Sequence, residues 1–296
     1  MKGLAFKALR TGMQVGSVLA PQTTGRVALR LFRTPFDPMG PNARKQAVVE
    51  EGRQAFAAAE SHRIPFGAGH VQAYRFMPDP AQDRGETVAL VHGWANQAYF
   101  MRSFAADLVQ AGFRVLAFDL PAHGDSSGRV TDPFDSARAL HALAAELGPL
   151  HGIVAYSFGG AVTAVAIEGT APLAGPVPAS RIALVSVPNA IEDVTRRFGE
   201  LAGLGPRAQT SFEDQLTSRG GRSLDSLRVG RILAGSGLPF LVVHSRDDRE
   251  IPFADGEKLA DAGGNGVLYP VDGLGHRRIL YAPEVTGRIT SFMMER

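Results

Sequence analysis

The chain has 296 residues, 45% of them apolar, which is enough for one large folded domain or a domain with an appendage and excludes disorder as the main state. It has no cysteine, so disulfide frameworks, thiolate metal sites and cysteine nucleophiles are excluded together. Thirty-one basic against 29 acidic residues leave a net charge of +2, and no overall field calls for a nucleic-acid partner. The imbalance is local. Residues 1–36 hold Lys2, Lys7, Arg10, Arg26, Arg30 and Arg33 with no acid, so this arm carries +6 and the remainder −4.

The arm interrupts its apolar residues with Lys7 and Arg10, which breaks the unbroken apolar centre that a secretory signal needs. It therefore either packs across the domain or lies on an anionic membrane surface through residues 1–36; Gly3, Gly12 and Gly16, which weaken an isolated helix, favour packing. The longest uncharged run, Leu147 to Ile167, has the length of a membrane span, but Pro149, His151, Ser157 and its glycines read as a strand, a tight turn and a helix. The expected location is cytoplasmic, peripheral at the inner membrane surface if the arm binds lipid.

Residues Asn42 to His62 have helical composition, with Asn42 as cap and Pro65 as terminator. Beyond them, short apolar runs at Val71–Phe76, Thr87–Val91, Phe113–Phe118, Gly152–Tyr156, Ile182–Val187, Pro239–Val243 and Val267–Pro270 alternate with helical stretches near 99–111, 135–147, 158–168, 254–262 and 283–294. Continuous apolar strands alternating with helices imply an α/β fold with a mostly parallel sheet buried on both faces. The fifty or so residues between Val187 and Pro239 exceed an ordinary connection. They are expected to form a small helical lid at about 188–235. The expected organisation is an N-terminal basic arm and helical extension over 1–65 and an α/β domain over 66–296.

Ligands of such sheets collect beyond the carboxyl ends of the strands. Those exits supply His92-Gly93-Trp94, Ser157 in Ala155-Tyr-Ser-Phe-Gly-Gly160, Asp247-Asp248, and Gly273-Leu-Gly-His276. A serine at a sharp strand-to-helix turn needs little side chain two positions before and after it, as Ala155 and Gly159 provide, and the turn sets the Phe158 amide at a helix N-terminus. A serine hydroxyl becomes a nucleophile only beside an oriented base; His276 is the candidate base and Asp248 the candidate orienter, with Asp247 competing.

The order Ser157, Asp248, His276, with Val88-Ala-Leu-Val-His-Gly-Trp94, Asp119-Leu-Pro-Ala-His-Gly-Asp-Ser-Ser-Gly128 and His244-Ser-Arg-Asp-Asp-Arg-Glu-Ile-Pro252, resembles the α/β-hydrolase superfamily over residues 66–296. The resemblance selects Asp248, four before the proline, over Asp247. It implies a serine hydrolase cleaving a carboxylic ester or thioester through an acyl-serine, with the Trp94 and Phe158 backbone amides as oxyanion donors, no cofactor, no metal and a small-molecule substrate. The chain departs from the pattern at Ala155 and at Ser245, where glycine is usual. Peptidase or amidase action and a non-catalytic binding module are the alternatives. His92 and His123 are expected to hydrogen-bond loop backbone, and Gly124-Asp-Ser-Ser127 is a weak second serine motif without a partner Asp-x-x-His.

Overall fold

A computed structural model describes residues 2–35, 43–170 and 173–295. The chain divides into two compact units, one made of residues 1–34 and 190–228, the other of 35–189 and 229–296.

The larger unit is an eight-stranded sheet, β1 (Glu60–Phe66), β2 (Gly69–Phe76), β3 (Thr87–Val91), β4 (Arg114–Phe118), β5 (Gly152–Tyr156), β6 (Arg181–Val185), β7 (Phe240–Ser245) and β8 (Gly266–Val271), in the order β1-β2-β4-β3-β5-β6-β7-β8. β1 pairs antiparallel with β2 and β2 with β4; from β4 to β8 every pairing is parallel. The central strands β5, β6 and β7 are buried at every residue, as parallel strands covered by helices on both faces must be. Among the apolar side chains on one face, Val154, Val185 and Val243 share a core cluster with Phe104, Leu108, Val285 and Phe292. The chain runs from β3 to β4 on one side and then back to β5 on the other, so the reversal of strand order lies at the β3/β5 pair, where Val91 faces Ala155.

The twelve helices of the described residues are α1 (Lys2–Leu19), α2 (Pro21–Arg33), α3 (Ala43–Ala55), α4 (Arg102–Gln110), α5 (Pro133–Leu147), α6 (Phe158–Glu168), α7 (Ile191–Ala202), α8 (Pro206–Gly220), α9 (Val229–Ser236), α10 (Phe253–Ala260), α11 (Gly275–Arg278) and α12 (Pro283–Met294). Asp132 begins α5 by accepting the Asp135 amide at 2.9 Å, with Pro133 in the first turn. None of these helices is long and apolar enough to cross a membrane.

Two expectations need correction. The helix expected over 42–62 stops at Ala55; Asn42, its expected cap, lies outside the described residues, and Glu60–Phe66 forms the edge strand β1 instead. An edge strand accommodates Pro65, whose missing N–H costs no interior ladder bond, and Ile64 is the one buried side chain of that strand. The boundary expected at residue 65 therefore falls within β1, and α3 and β1 both belong to the larger unit. Likewise the insertion ends at Arg228 rather than 235, because α9 belongs to the larger unit as the helix of the β6–β7 crossover.

In the smaller unit, α1 and α2 pack with α7 and α8. Met13, Ala28 and Phe212 are buried together, and Phe32 meets Phe198 and Phe212 edge-on at centroid distances of 5.2 and 5.3 Å. The helix-weakening glycines of the arm are thus overridden by tertiary burial.

Candidate active site

All five expected site residues lie in the larger unit, at the carboxyl ends of its strands. Ser157 follows β5 with φ 51° and ψ −117°, a positive-φ conformation unfavourable for a residue with a Cβ, and α6 begins at the next residue. Gly159 is required by close approach: a Cβ there would lie 2.3 Å from the Val91 carbonyl oxygen of the adjacent strand end. Ala155 at the other small position is fully buried and without positive φ, so the strand absorbs its methyl group.

The other partners arrive from β7 and β8, which pair in parallel through Ser245 and Val271. Asp248 accepts the Glu250 and Ile251 amides through Oδ1, at 2.8 and 2.9 Å, and through Oδ2 meets His276 Nδ1 at 2.8 Å. Burial pushes the Asp248 carboxyl up, but the hydrogen bond and charge of His276, with the two amides, outweigh it and hold the group below its ordinary value. An ionised carboxylate only accepts, so Nδ1 of His276 carries the proton and donates. Nε2, 3.2 Å from Ser157 Oγ, is left to accept the hydroxyl hydrogen. Asp248 and His276 are buried at 8 and 9% exposure, whereas Ser157 is half-buried. Distant segments thus converge in one Ser–His–Asp relay.

Asp247 has a different task. Its Oδ1 accepts the Ser245 hydroxyl at 2.5 Å and the Gly275 amide at 3.2 Å, and this hydrogen bond from Ser245 comes first among the causes that lower its carboxyl below the ordinary range. Ser245 Oγ in turn accepts the Leu274 and Gly275 amides at 3.3 and 3.1 Å. The serine standing where glycine is usual therefore ties the loop that carries His276 to the end of β7. Tyr156 makes a second tie by donating its buried hydroxyl to the His276 carbonyl at 3.0 Å. Burial, then the charges of Glu250 and Asp248, push its phenol well above the ordinary value, which keeps it a donor. Neither residue stands out as functional in the sequence, although Ser245 is visible there as a departure from the family pattern.

Gly93 brings the loop after β3 against the serine: a Cβ on it would fall 2.8 Å from the Tyr156 ring and 3.2 Å from Ser157 Cβ. The Ala95 amide is taken by His123 Nε2 at 3.1 Å, which leaves the Nδ1 proton of that ring to Pro121 O at 3.0 Å. His92, completely buried, accepts the Leu120 amide at 3.0 Å on Nε2 and donates from Nδ1 to Gly93 O at 2.8 Å. Burial first, then the neighbouring His123, holds it neutral with a pKa well below the ordinary value. Both histidines thus brace loop backbone, as expected. The Trp94 ring meets Phe158 and His123 edge-on at 4.9 and 5.3 Å. Phe158 is the first residue of α6, where amides lack intrahelical acceptors. In the second serine motif, Ser126 Oγ donates to Asp119 O at 2.6 Å and accepts the Gln72 amide at 2.8 Å, while Ser127 Oγ accepts the His70 amide at 3.1 Å. Asp119, pushed up to about 6 by burial, accepts the Ala98 and Asp125 amides. These groups shape the loop. Among the described residues, no group of three or more His, Asp or Glu side chains is arranged to hold a metal ion.

A model of the alpha/beta hydrolase family matches residues 88–288, about two thirds of the chain. The chain belongs to that family. Similar solved structures include Est1E from Butyrivibrio proteoclasticus, determined with ferulic acid bound, at 17% identity and TM-score 0.63 over 79% of this chain and 98% of that one. An esterase from Exiguobacterium antarcticum is similar at 14% identity and TM-score 0.60 over 80% and 100% of the two chains. A membrane phospholipase A described as a bacterial virulence factor is similar at 19% identity and TM-score 0.60 over 85% and 91%. No curated protein matches. At such identities these structures share the fold of this α/β hydrolase.

Proposed function

We propose that this α/β hydrolase is a serine hydrolase that cleaves a carboxylic ester or thioester through an acyl-serine intermediate. The observation that carries the reading is the continuous relay from Ser157 Oγ to His276 Nε2 at 3.2 Å and from His276 Nδ1 to Asp248 at 2.8 Å. His276 takes the hydroxyl proton as Ser157 Oγ bonds to the substrate carbonyl carbon, and the imidazolium is held by the ionised Asp248. The carbonyl oxygen becomes an oxyanion, received by the Trp94 and Phe158 amides, the second aided by the α6 N-terminus. Collapse breaks the bond to the alkoxide or thiolate, which leaves with the proton from His276. Water then repeats the sequence on the acyl-serine, releasing the acid and returning the hydroxyl. The esterase and the phospholipase among the similar folds agree with an ester substrate.

A p-nitrophenyl ester panel from acetyl to palmitoyl, run beside acyl thioesters and peptide p-nitroanilides, tests this. Turnover of esters or thioesters that disappears in Ser157→Ala is expected. Turnover confined to the anilides would assign amidase action instead, and no turnover by folded protein would favour a binding module.

A further inference from the structure

The smaller unit presents an outer surface that catalysis by the larger unit does not use. α1 buries Met13 and Ser17, one turn apart, towards its partner helices. On the opposite side, Val15, Val18 and Leu19 are 52, 80 and 77% exposed, on a face shared with the uncharged Ala8, Thr11 and Gly12. That is the reverse of an ordinary surface helix, which turns its polar face to water. α2 buries Thr24, Gly25 and Ala28 and turns Arg26 and Arg30, one turn apart, outward. Lys7 and Arg10 of α1 are exposed too. Among the described residues, none of these four cations forms an ion pair with a carboxylate.

Charge selects the occupant. Residues 190–228 hold six acids and six arginines and are neutral, so the unit carries the whole +6 of the arm. Three of those acids are engaged within the unit, Asp193 with Arg196, Glu192 with Arg228 at 3.6 Å and Glu213 with Thr195 at 3.0 Å. Beside Val18, a groove of about 530 Å³ lined by Gln14, Ser17, Gly205, Pro206 and Arg207 sets a further cation next to the apolar face. Apolar side chains bordered by cations fit a surface that offers hydrocarbon beneath an anionic layer. A second copy would bring +6 against +6. We infer that α1 and α2 form a docking surface for an anionic lipid bilayer, with Val15, Val18 and Leu19 entering the headgroup region and Lys7, Arg10, Arg26 and Arg30 meeting lipid phosphates.

The test is co-sedimentation of the full chain with vesicles of phosphatidylcholine alone or mixed with phosphatidylglycerol. Binding is expected only with phosphatidylglycerol and should weaken with added salt. Val18→Asp/Leu19→Asp should lower it at least about tenfold and Arg26→Glu/Arg30→Glu about 30-fold or more, on the scale of basic residues at anionic membranes. Circular dichroism and turnover of a short soluble ester should stay unchanged in both variants. Equal binding to both vesicle types, or binding indifferent to both double variants, would overturn the inference. So would a dimer in sedimentation velocity that Val18→Asp/Leu19→Asp abolishes while no vesicle binds, since it would assign the face to a second copy.

Discussion

Asp248→Asn and Asp247→Asn are chemically identical changes at adjacent positions, and the geometry separates them by orders of magnitude. Oδ1 of Asp248 accepts two backbone amides, at 2.8 and 2.9 Å. An asparagine must therefore keep its carbonyl oxygen there and turn its NH₂ towards His276 Nδ1. That ring nitrogen would become an acceptor, the proton would move to Nε2, and Nε2–H would face Ser157 Oγ with no lone pair for its hydrogen. A triad with the wrong tautomer loses about 10⁴-fold in rate, equivalent to about 5.4 kcal/mol of transition-state stabilisation. Asparagine at 247 keeps an acceptor for Ser245 and Gly275, so its cost should stay within about tenfold, the scale of weakening a single hydrogen bond. The assay is kcat/KM on the fastest ester of the panel, with thermal unfolding measured alongside. Equal losses in the two variants, or a larger loss at Asp247, would refute the assignment.

Gly159→Ala should be far more damaging than its size suggests, because the added methyl meets the Val91 backbone rather than a movable side chain; a loss of about 1–3 kcal/mol in urea unfolding, together with most of the activity, is expected. Unchanged kinetics would mean that the turn is looser than described. Tyr156→Phe removes one buried donor and leaves the His276 carbonyl unsatisfied, so stability should fall by about 1–3 kcal/mol and kcat should drop while KM holds; an unchanged kcat would show that the tie does not position the base. Stability should also depend on pH. His92 and His244 are held neutral by burial with pKa values below the ordinary one, so below about pH 6.5 each binds a proton in the unfolded chain but not in the folded one; Asp119, pushed up to about 6, opposes these two with a single proton from about pH 6 downward. Unfolding free energy should therefore decrease on acidification from pH 7.5 to 5.5, with a slope of up to about 1.4 kcal/mol per histidine per pH unit below pH 6.5. A flat or rising profile would contradict it.

The strands from β3 to β7 were legible because burial on both faces writes them as uninterrupted apolar runs, and the elbow because its small residues answer a steric demand seen in the 2.3 Å approach at Gly159. The first three residues of β1 were read as the end of a helix and the rest as its termination. An edge strand with only Ile64 buried has almost no apolar pattern to betray it. α1 and α2 were equally obscure, since their burial partners, Phe198 and Phe212, lie some 170 residues or more further along the chain and α1 turns apolar side chains outward. Among the site residues, the chemical groups could be read from strand exits, but the support given to His276 by Ser245, Asp247 and Tyr156 could not. It arises from β7 and β8 lying side by side and from the proximity of β5, facts of sheet order rather than of spacing.

The proposed chemistry stands on Ser157 being a nucleophile activated through His276. Exposing the folded protein to a fluorophosphonate and mapping the adduct by peptide mass spectrometry tests it most directly. One adduct is expected, on Ser157, absent after prior heat denaturation and much slowed in Asp248→Asn. An adduct on another residue, or folded protein that stays unmodified, would contradict it.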